Sequence, residues 1–139
     1  MKAIIVGQDM ELMEPLAARL TEAGLTVIIA ENGSSALAAL SKSNAQFVVA
    51  DSELLIEHNL AHELMKRSPL VRLVGFSAQP SLPGLIEALI SGLVDYFPRT
   101  PACLEAVTDL IISEGQRLAR WRDLLITADP AAGNEKPAV

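Results

Sequence analysis

A chain of 139 residues that is half hydrophobic but only 4% aromatic has room for one domain, with a core that Leu, Ile, Val and Ala must build. Its net charge of −6 comes from 13 acidic against 7 basic residues before Ile112, with an even balance after it. No basic stripe therefore offers itself to nucleic acid. No apolar stretch approaches a membrane span, the apolar run after Met1-Lys2 is too short for a signal peptide, and the single Cys103 excludes an internal disulfide and fits a reducing cytoplasm.

In chain order, Ala3 to Val6 reads as a buried strand and Gly7-Gln8-Asp9 as the turn after it. From Met10 to Ala23, Leu12, Leu16 and Leu20 recur every four residues, which predicts an amphipathic helix. Pro15 falls within its first two turns, where it is tolerable, and Gly24 is placed as its C-terminal cap. Leu25 to Ala30 reads as a strand, Asn32-Gly33 as a turn and Ser34 to Ser41 as a helix. Phe47-Val48-Val49 is a short apolar run suited to a strand buried on both faces, and Asp51 follows it. Glu53 to Arg67 reads as a third helix with Leu60, Leu64 and Met65 inward, stopped by Pro69. Leu70 to Phe76 is a fourth strand, Leu82 to Ser91 a helix closed by Gly92, and Val94 to Phe97 a short fifth strand. Cys103 begins a long last helix.

Five strands alternating with five helices predict a parallel sheet with right-handed crossovers, an α/β flavodoxin-like (βα)5 doubly wound fold. In the strand order 2-1-3-4-5, strands 1 and 3 are neighbours and the topological switch point lies between them. Gly7-Gln8-Asp9, Asp51, Ser77 and Arg99 should then converge on one rim. Each residue also has a plainer reading. Asp51 or Ser52 starts the next helix, Ser77 caps another, Asp9 caps the first, Tyr96 is a partly buried interface residue, and Arg99 with Asp51 is a simple ion pair. His58 and His62 lie four apart, but two ligands make no zinc site. No glycine-rich phosphate loop follows strand 1.

The segment Glu87-Ala88-Leu89-Ile90-Ser91-Gly92-Leu93-Val94-Asp95-Tyr96-Phe97-Pro98-Arg99-Thr100-Pro101 is similar to the "EAl-x-x-GA-x-DYL-x-KP" segment of response regulator receiver domains. Ala30-Glu31-Asn32-Gly33-Ser34-Ser35-Ala36-Leu37 matches the start of that family's second helix, and the resemblance runs from Lys2 to about Arg120. It implies that Asp51 is the phosphoacceptor, that Ser77 and Arg99 sense the phosphoryl group and that Tyr96 is the aromatic switch. It implies a bacterial two-component phosphorelay module rather than an enzyme, served by a sensor histidine kinase or a small phosphodonor and signalling through the helix 4–strand 5–helix 5 face. Gly7 and Gln8 fall on the acidic pair that holds Mg²⁺ in that family. The metal set is thereby reduced to Gln8, Asp9, Asp51 and Glu53, and Mg²⁺ is expected to bind weakly or not at all. Arg99 replaces a Lys, and Leu54-Leu55 stands where the family has a Pro. The alternative is a pseudo-receiver, a phosphorylation-independent interaction module; a flavodoxin-like enzyme or cofactor binder is a third class.

Leu104, Ile111, Leu118 and Leu125 repeat at an interval of seven, with Val107, Glu114 and Trp121 beside them. A repeat of that period marks a helix-pairing seam, here interrupted by Glu114, and predicts a homodimer through Leu118, Trp121 and Leu125. The receiver-like domain is set at 1–124, and 125–139 reads as a disordered tail or a linker to an output domain.

Overall fold

The five apolar runs become strands, and the three central ones, 3–6, 47–50 and 73–76, are buried because a run apolar on both faces loses contact with water only inside a sheet covered on both sides. The computed structural model describes residues 1–128. Its elements are β1 (Lys2–Val6), α1 (Met10–Glu22), β2 (Thr26–Ala30), α2 (Gly33–Ser43), β3 (Phe47–Asp51), α3 (Leu60–Arg67), β4 (Arg72–Ser77), α4 (Leu82–Ile90), β5 (Leu93–Pro98) and α5 (Leu104–Ala128). The strands are all parallel, in the order β2-β1-β3-β4-β5. This is the doubly wound flavodoxin-like order. The helix α5 runs to Ala128, into the segment set down as tail from 125; the rest of that segment, 129–139, lies outside the described residues.

The chain divides into two units, 1–108 and 109–139. In the first unit, one face of the sheet gathers Ile4, Val6, Val48, Ala50, Leu73 and Leu93 with the buried residues of α2 and α3. Strand alternation turns Ile5, Phe47, Val49 and Phe76 to the opposite face, the side on which α1 buries Leu12, Met13, Leu16 and Leu20. Pro15 is exposed inside α1, so the helix keeps its buried stripe at the cost of one main-chain hydrogen bond. Asn32 caps α2 by accepting from the Ser35 amide at 2.9 Å, and Ser81 caps α4 by accepting from the Gly84 amide at 3.1 Å.

Two local features depart from the sequence reading. The third helix is not continuous. Glu53–Glu57 form a π-helical turn, closed by the His58 amide on the Glu53 carbonyl at 3.1 Å. Asn59 then takes a left-handed conformation with φ 59° before α3 begins at Leu60. Asn is among the few residues that enter this region at modest cost, so the break falls there. The second is a register shift in β5: Leu73 pairs with Leu93, but Val74 pairs with Asp95, leaving Val94 as the extra residue of a bulge. As a result Leu93 and Tyr96, three apart, both pack with the cluster on the α2–α3 face.

Gly75 keeps the centre of β4 open. A Cβ there would lie 2.6 Å from Leu93 Cδ2 and 3.6 Å from Ser52 Cβ, so the turn after Asp51 and the first residue of β5 both close over a bare backbone. Gly75→Val should destabilise the domain by about 1–3 kcal/mol through overpacking. Urea unfolding with an unchanged m-value and a lowered midpoint checks it; an unchanged midpoint would show that Leu93 repacks freely.

Candidate functional site

Parallel pairing brings the carboxyl ends of β1, β3, β4 and β5 to one rim. Asp51 is the last residue of β3 and pairs with Phe76 rather than opening a helix. Ser52 does open the helical turn that follows, although its side chain makes no cap hydrogen bond. Gly7, Gln8, Asp9, Asp51 and Arg99 line one cleft; Asp51, Glu53, Ser77, Tyr96 and Arg99 line the adjoining one. The rim convergence expected from topology is thus present in the structure.

Arg99 follows the end of β5. Its backbone N–H donates to the Ser77 carbonyl at 2.8 Å, which ties the ends of β4 and β5 together. Its guanidinium turns back into the cleft, where Nη1 donates to Asp51 Oδ2 at 3.2 Å and lies 3.9 Å from Asp9 Oδ2. Asp9 occupies the N-cap position of α1 without making a side-chain cap. Its carboxylate faces Arg99 instead, and Asp9 caps α1 through its backbone carbonyl alone, which accepts from the Met13 amide at 3.0 Å. The capping reading of Ser77 falls, since its Oγ accepts from the Gln79 amide at 3.2 Å and the cap of α4 is Ser81.

The Asp51 and Arg99 side chains are 32% and 31% exposed, so the pair is only partly screened by water. Burial pushes the Asp51 carboxyl above its ordinary value of 3.8; Arg99 pulls it down, and Glu53 and Asp9 push it up again. Desolvation therefore outweighs the ion pair.

A metal on carboxylates is the test that this pocket meets least well. Gly7 has no side chain, and its φ of 149° is one that residues with a Cβ rarely adopt. Gln8 is exposed and offers a neutral oxygen. Among the described residues no group of three His, Cys, Asp or Glu side chains is placed to hold a metal ion. Positions 7 and 8 therefore bring no carboxylate to the cleft, and the acids that line it or its neighbour include Asp9, Asp51 and Glu53.

Tyr96 is half-buried, and its hydroxyl reaches the first turn of α4. A Cβ at Gly84 would lie 2.6 Å from the Tyr96 oxygen, so the ring occupies a slot that only glycine leaves open. Sequence reasoning missed Gly84, since nothing in its neighbours signals the slot.

In the second unit, Trp121, Leu124 and Leu125 are exposed and Leu118 is half-buried. The Arg117 guanidinium sits 4.8 Å from the Trp121 ring centre and pairs with Glu114 at 3.1 Å. Glu114 is therefore an anchored residue rather than a bare charge in the seam. No described helix is long and apolar enough to cross a membrane.

No family model matches the chain. It is 25% identical over 133 residues to the transcriptional regulatory protein GlrR of Escherichia coli, covering 91% of this chain and 30% of that protein. The chain thus spans less than a third of the length of this curated relative. The receiver domain of the Francisella response regulator 1452 superposes with a TM-score of 0.73 at 21% identity, covering 84% of this chain and 98% of that one. A response regulator from Burkholderia pseudomallei, solved with a phosphorylated aspartic acid, a calcium ion and citrate, gives 0.66 at 20% identity over 82% and 72% of the two chains. Both solved structures share the fold.

The pH dependence of Asp51 has a definite sign. A folded-state value above 3.8 means that the native protein holds this proton more tightly than the unfolded chain. Its contribution to stability is full below 3.8 and is lost as pH rises through the folded value. Asp51→Asn cannot ionise, so its stability relative to the parent should improve across that window. At neutral pH it should equal or exceed the parent, within about 1 kcal/mol for a partly exposed pair. Thermal melts of both proteins from acid to neutral pH check this; a variant clearly weaker at neutral pH would show that Arg99 outweighs burial.

Proposed function

We propose that this chain, a receiver domain of the two-component response regulator type, accepts a phosphoryl group on Asp51 and signals through α4 and β5 by way of Ser77, Arg99 and Tyr96. The observation that carries the reading is the position of Asp51 at the carboxyl end of β3. It lies beside the switch point of the sheet, part-exposed, with Arg99 on its oxygen and Ser77 lining the same cleft. A carboxylate oxygen there is the nucleophile: it bonds to phosphorus as the donor's leaving group departs, and the product is an acyl phosphate. Burial raises the proton affinity of the Asp51 carboxyl above its ordinary value, so its carboxylate is more basic than a solvated one, which favours attack. Ser77 Oγ and the Arg99 guanidinium are the groups available to hold the new phosphate oxygens. Mg²⁺, which receiver domains bind in an acidic pocket, binds this one weakly or not at all, for want of carboxylates at Gly7 and Gln8.

The donor is a sensor histidine kinase or a small phosphodonor, and the chain works as a cytoplasmic signalling module rather than an enzyme. The exposed Leu82, Ile86, Leu89 and Ile90 of α4 support a protein-contacting role for that helix. The relative GlrR is a transcriptional regulatory protein of which this chain covers 30%, which supports an output domain in a longer protein.

Incubation with acetyl phosphate should add one phosphoryl group to the parent, slowly, and none to Asp51→Asn, as read by intact mass. An Asp51→Asn protein that is still labelled would move the acceptor elsewhere. A parent that is never labelled, by small phosphodonor or kinase, would leave the phosphorylation-independent module as the reading.

The homodimer through the end of α5 rests on Leu118, Trp121 and Leu125, two of which are exposed. Light scattering should give a dimer for the parent and a monomer for the Leu118→Glu, Trp121→Glu double variant. A parent that stays monomeric at high micromolar concentration sinks the seam.

A further inference from the structure

We propose that Cys103 is a positioning residue of this site: its thiol sets the peptide that carries Arg99 and so holds the guanidinium on Asp51. The peptide joining Pro98 to Arg99 is a rigid plane with one hydrogen-bonding group on each side. Its N–H, from Arg99, donates to the Ser77 carbonyl at 2.8 Å, which ties one side to the end of β4. Its C=O, from Pro98, lies 2.8 Å from Cys103 Sγ, which ties the other side to the residue just before α5. The same sulfur lies 3.0 Å from the Thr100 carbonyl, so one S–H serves the carbonyls that flank Arg99.

The backbone of this turn closes on the same two carbonyls. The Thr100 N–H donates to the Pro98 carbonyl at 2.9 Å, and the Cys103 N–H donates to the Thr100 carbonyl at 3.2 Å. Cys103 is only 7% exposed and the adjacent Leu104 is buried, so water does not compete for the thiol, and a weak donor counts for more there. Any tilt of the peptide plane moves the Arg99 Cα, and the far end of so long a side chain moves further. Its Nη1 has little margin: 3.2 Å from Asp51 Oδ2 is already at the long end of the hydrogen-bond range, and Asp9 Oδ2 stands off at 3.9 Å. Burial alone would be served by any small apolar residue; Cys103 Sγ meets two carbonyl oxygens besides. The sulfur acts by geometry and stays a thiol throughout.

The contact between Arg99 and Asp51 exists whether or not Asp51 takes phosphate. Only the labelling measurement below rests on the phosphoacceptor reading, and a chain that is never labelled still lets the placement of Arg99 be measured.

The test uses the full chain, isotope-labelled for NMR, and reads the side-chain Nε–H signal of Arg99, assigned by its loss in Arg99→Gln. In the parent that signal should stand apart from those of free arginines, and Asp51→Asn should shift it. Cys103→Ala, which removes the donor, should move it to the position of a free side chain and speed its exchange with water. Cys103→Val, which keeps apolar packing without a donor, should do the same. Cys103→Ser, which keeps a donor and gives up apolar packing, should restore the parent signal. Amide dispersion reports which variants are folded, and two donorless variants guard against the failure of one. With acetyl phosphate, the donorless variants should be labelled roughly two- to tenfold more slowly than Cys103→Ser, the scale of one modest hydrogen bond. A folded Cys103→Ala or Cys103→Val protein with an unchanged Arg99 signal overturns the proposal. So does a Cys103→Ser protein that behaves as Cys103→Ala, because packing and not the donor was then at work. A parent whose Arg99 signal already matches a free side chain overturns it too, since the guanidinium was then never held. Equal labelling despite a displaced Arg99 supports the thiol's role and removes Arg99 from phosphate transfer.

Discussion

The hydrogen-bonded pairing of β1 with β3 is the contact on which the rest of this molecule depends. Ala3, Ile4 and Ile5 lie beside Phe47, Val48 and Val49. These are apolar side chains with few polar alternatives, so the pairing is fixed by burial and not by the rim. Its by-product is chemical. Two strands whose connecting helices leave to opposite sides open a cleft at their carboxyl ends, and Gly7 to Asp9 face Asp51 across it. The site is thus placed by the core, and its polar residues are free to vary without undoing the fold.

Within that cleft, desolvation and Coulomb attraction compete over a single carboxyl group. Arg99 is close enough to favour the charged form of Asp51, yet burial together with Glu53 and Asp9 leaves the proton held more tightly than in water. A partly exposed pair of this kind adds little to stability. What it does is hold a carboxylate of raised proton affinity and a cation in register at the rim, at some thermodynamic cost.

Most of the architecture was legible in the sequence because it follows from burial patterns. Phe47-Val48-Val49 must be a covered strand, and Leu12, Leu16 and Leu20 must face one way. That Gly7 to Asp9, Asp51, Ser77 and Arg99 share one rim was legible from their places at the ends of such strands, while Tyr96 was singled out only by the family resemblance. What escaped has no pattern of its own. The bulge at Val94 leaves the apolar content of β5 unchanged and shows only in the pairing with β4. The break at Asn59 sits inside a run whose helical periodicity continues on both sides. Gly7 was legible as a turn residue, but its φ of 149° is a property of the backbone path.

Gly84 is the feature with the longest reach. Its missing side chain and the Tyr96 hydroxyl occupy the same volume, although the two residues lie on different elements and belong to no common motif. They form a linked pair in the genealogical sense. A lineage that gains even an alanine at 84 must move the ring at 96 or replace it, while one that trims the ring releases 84 to vary. Across descendants of this chain the two positions should therefore change together. Tracing which one changed first would date when the tyrosine ring took its present setting.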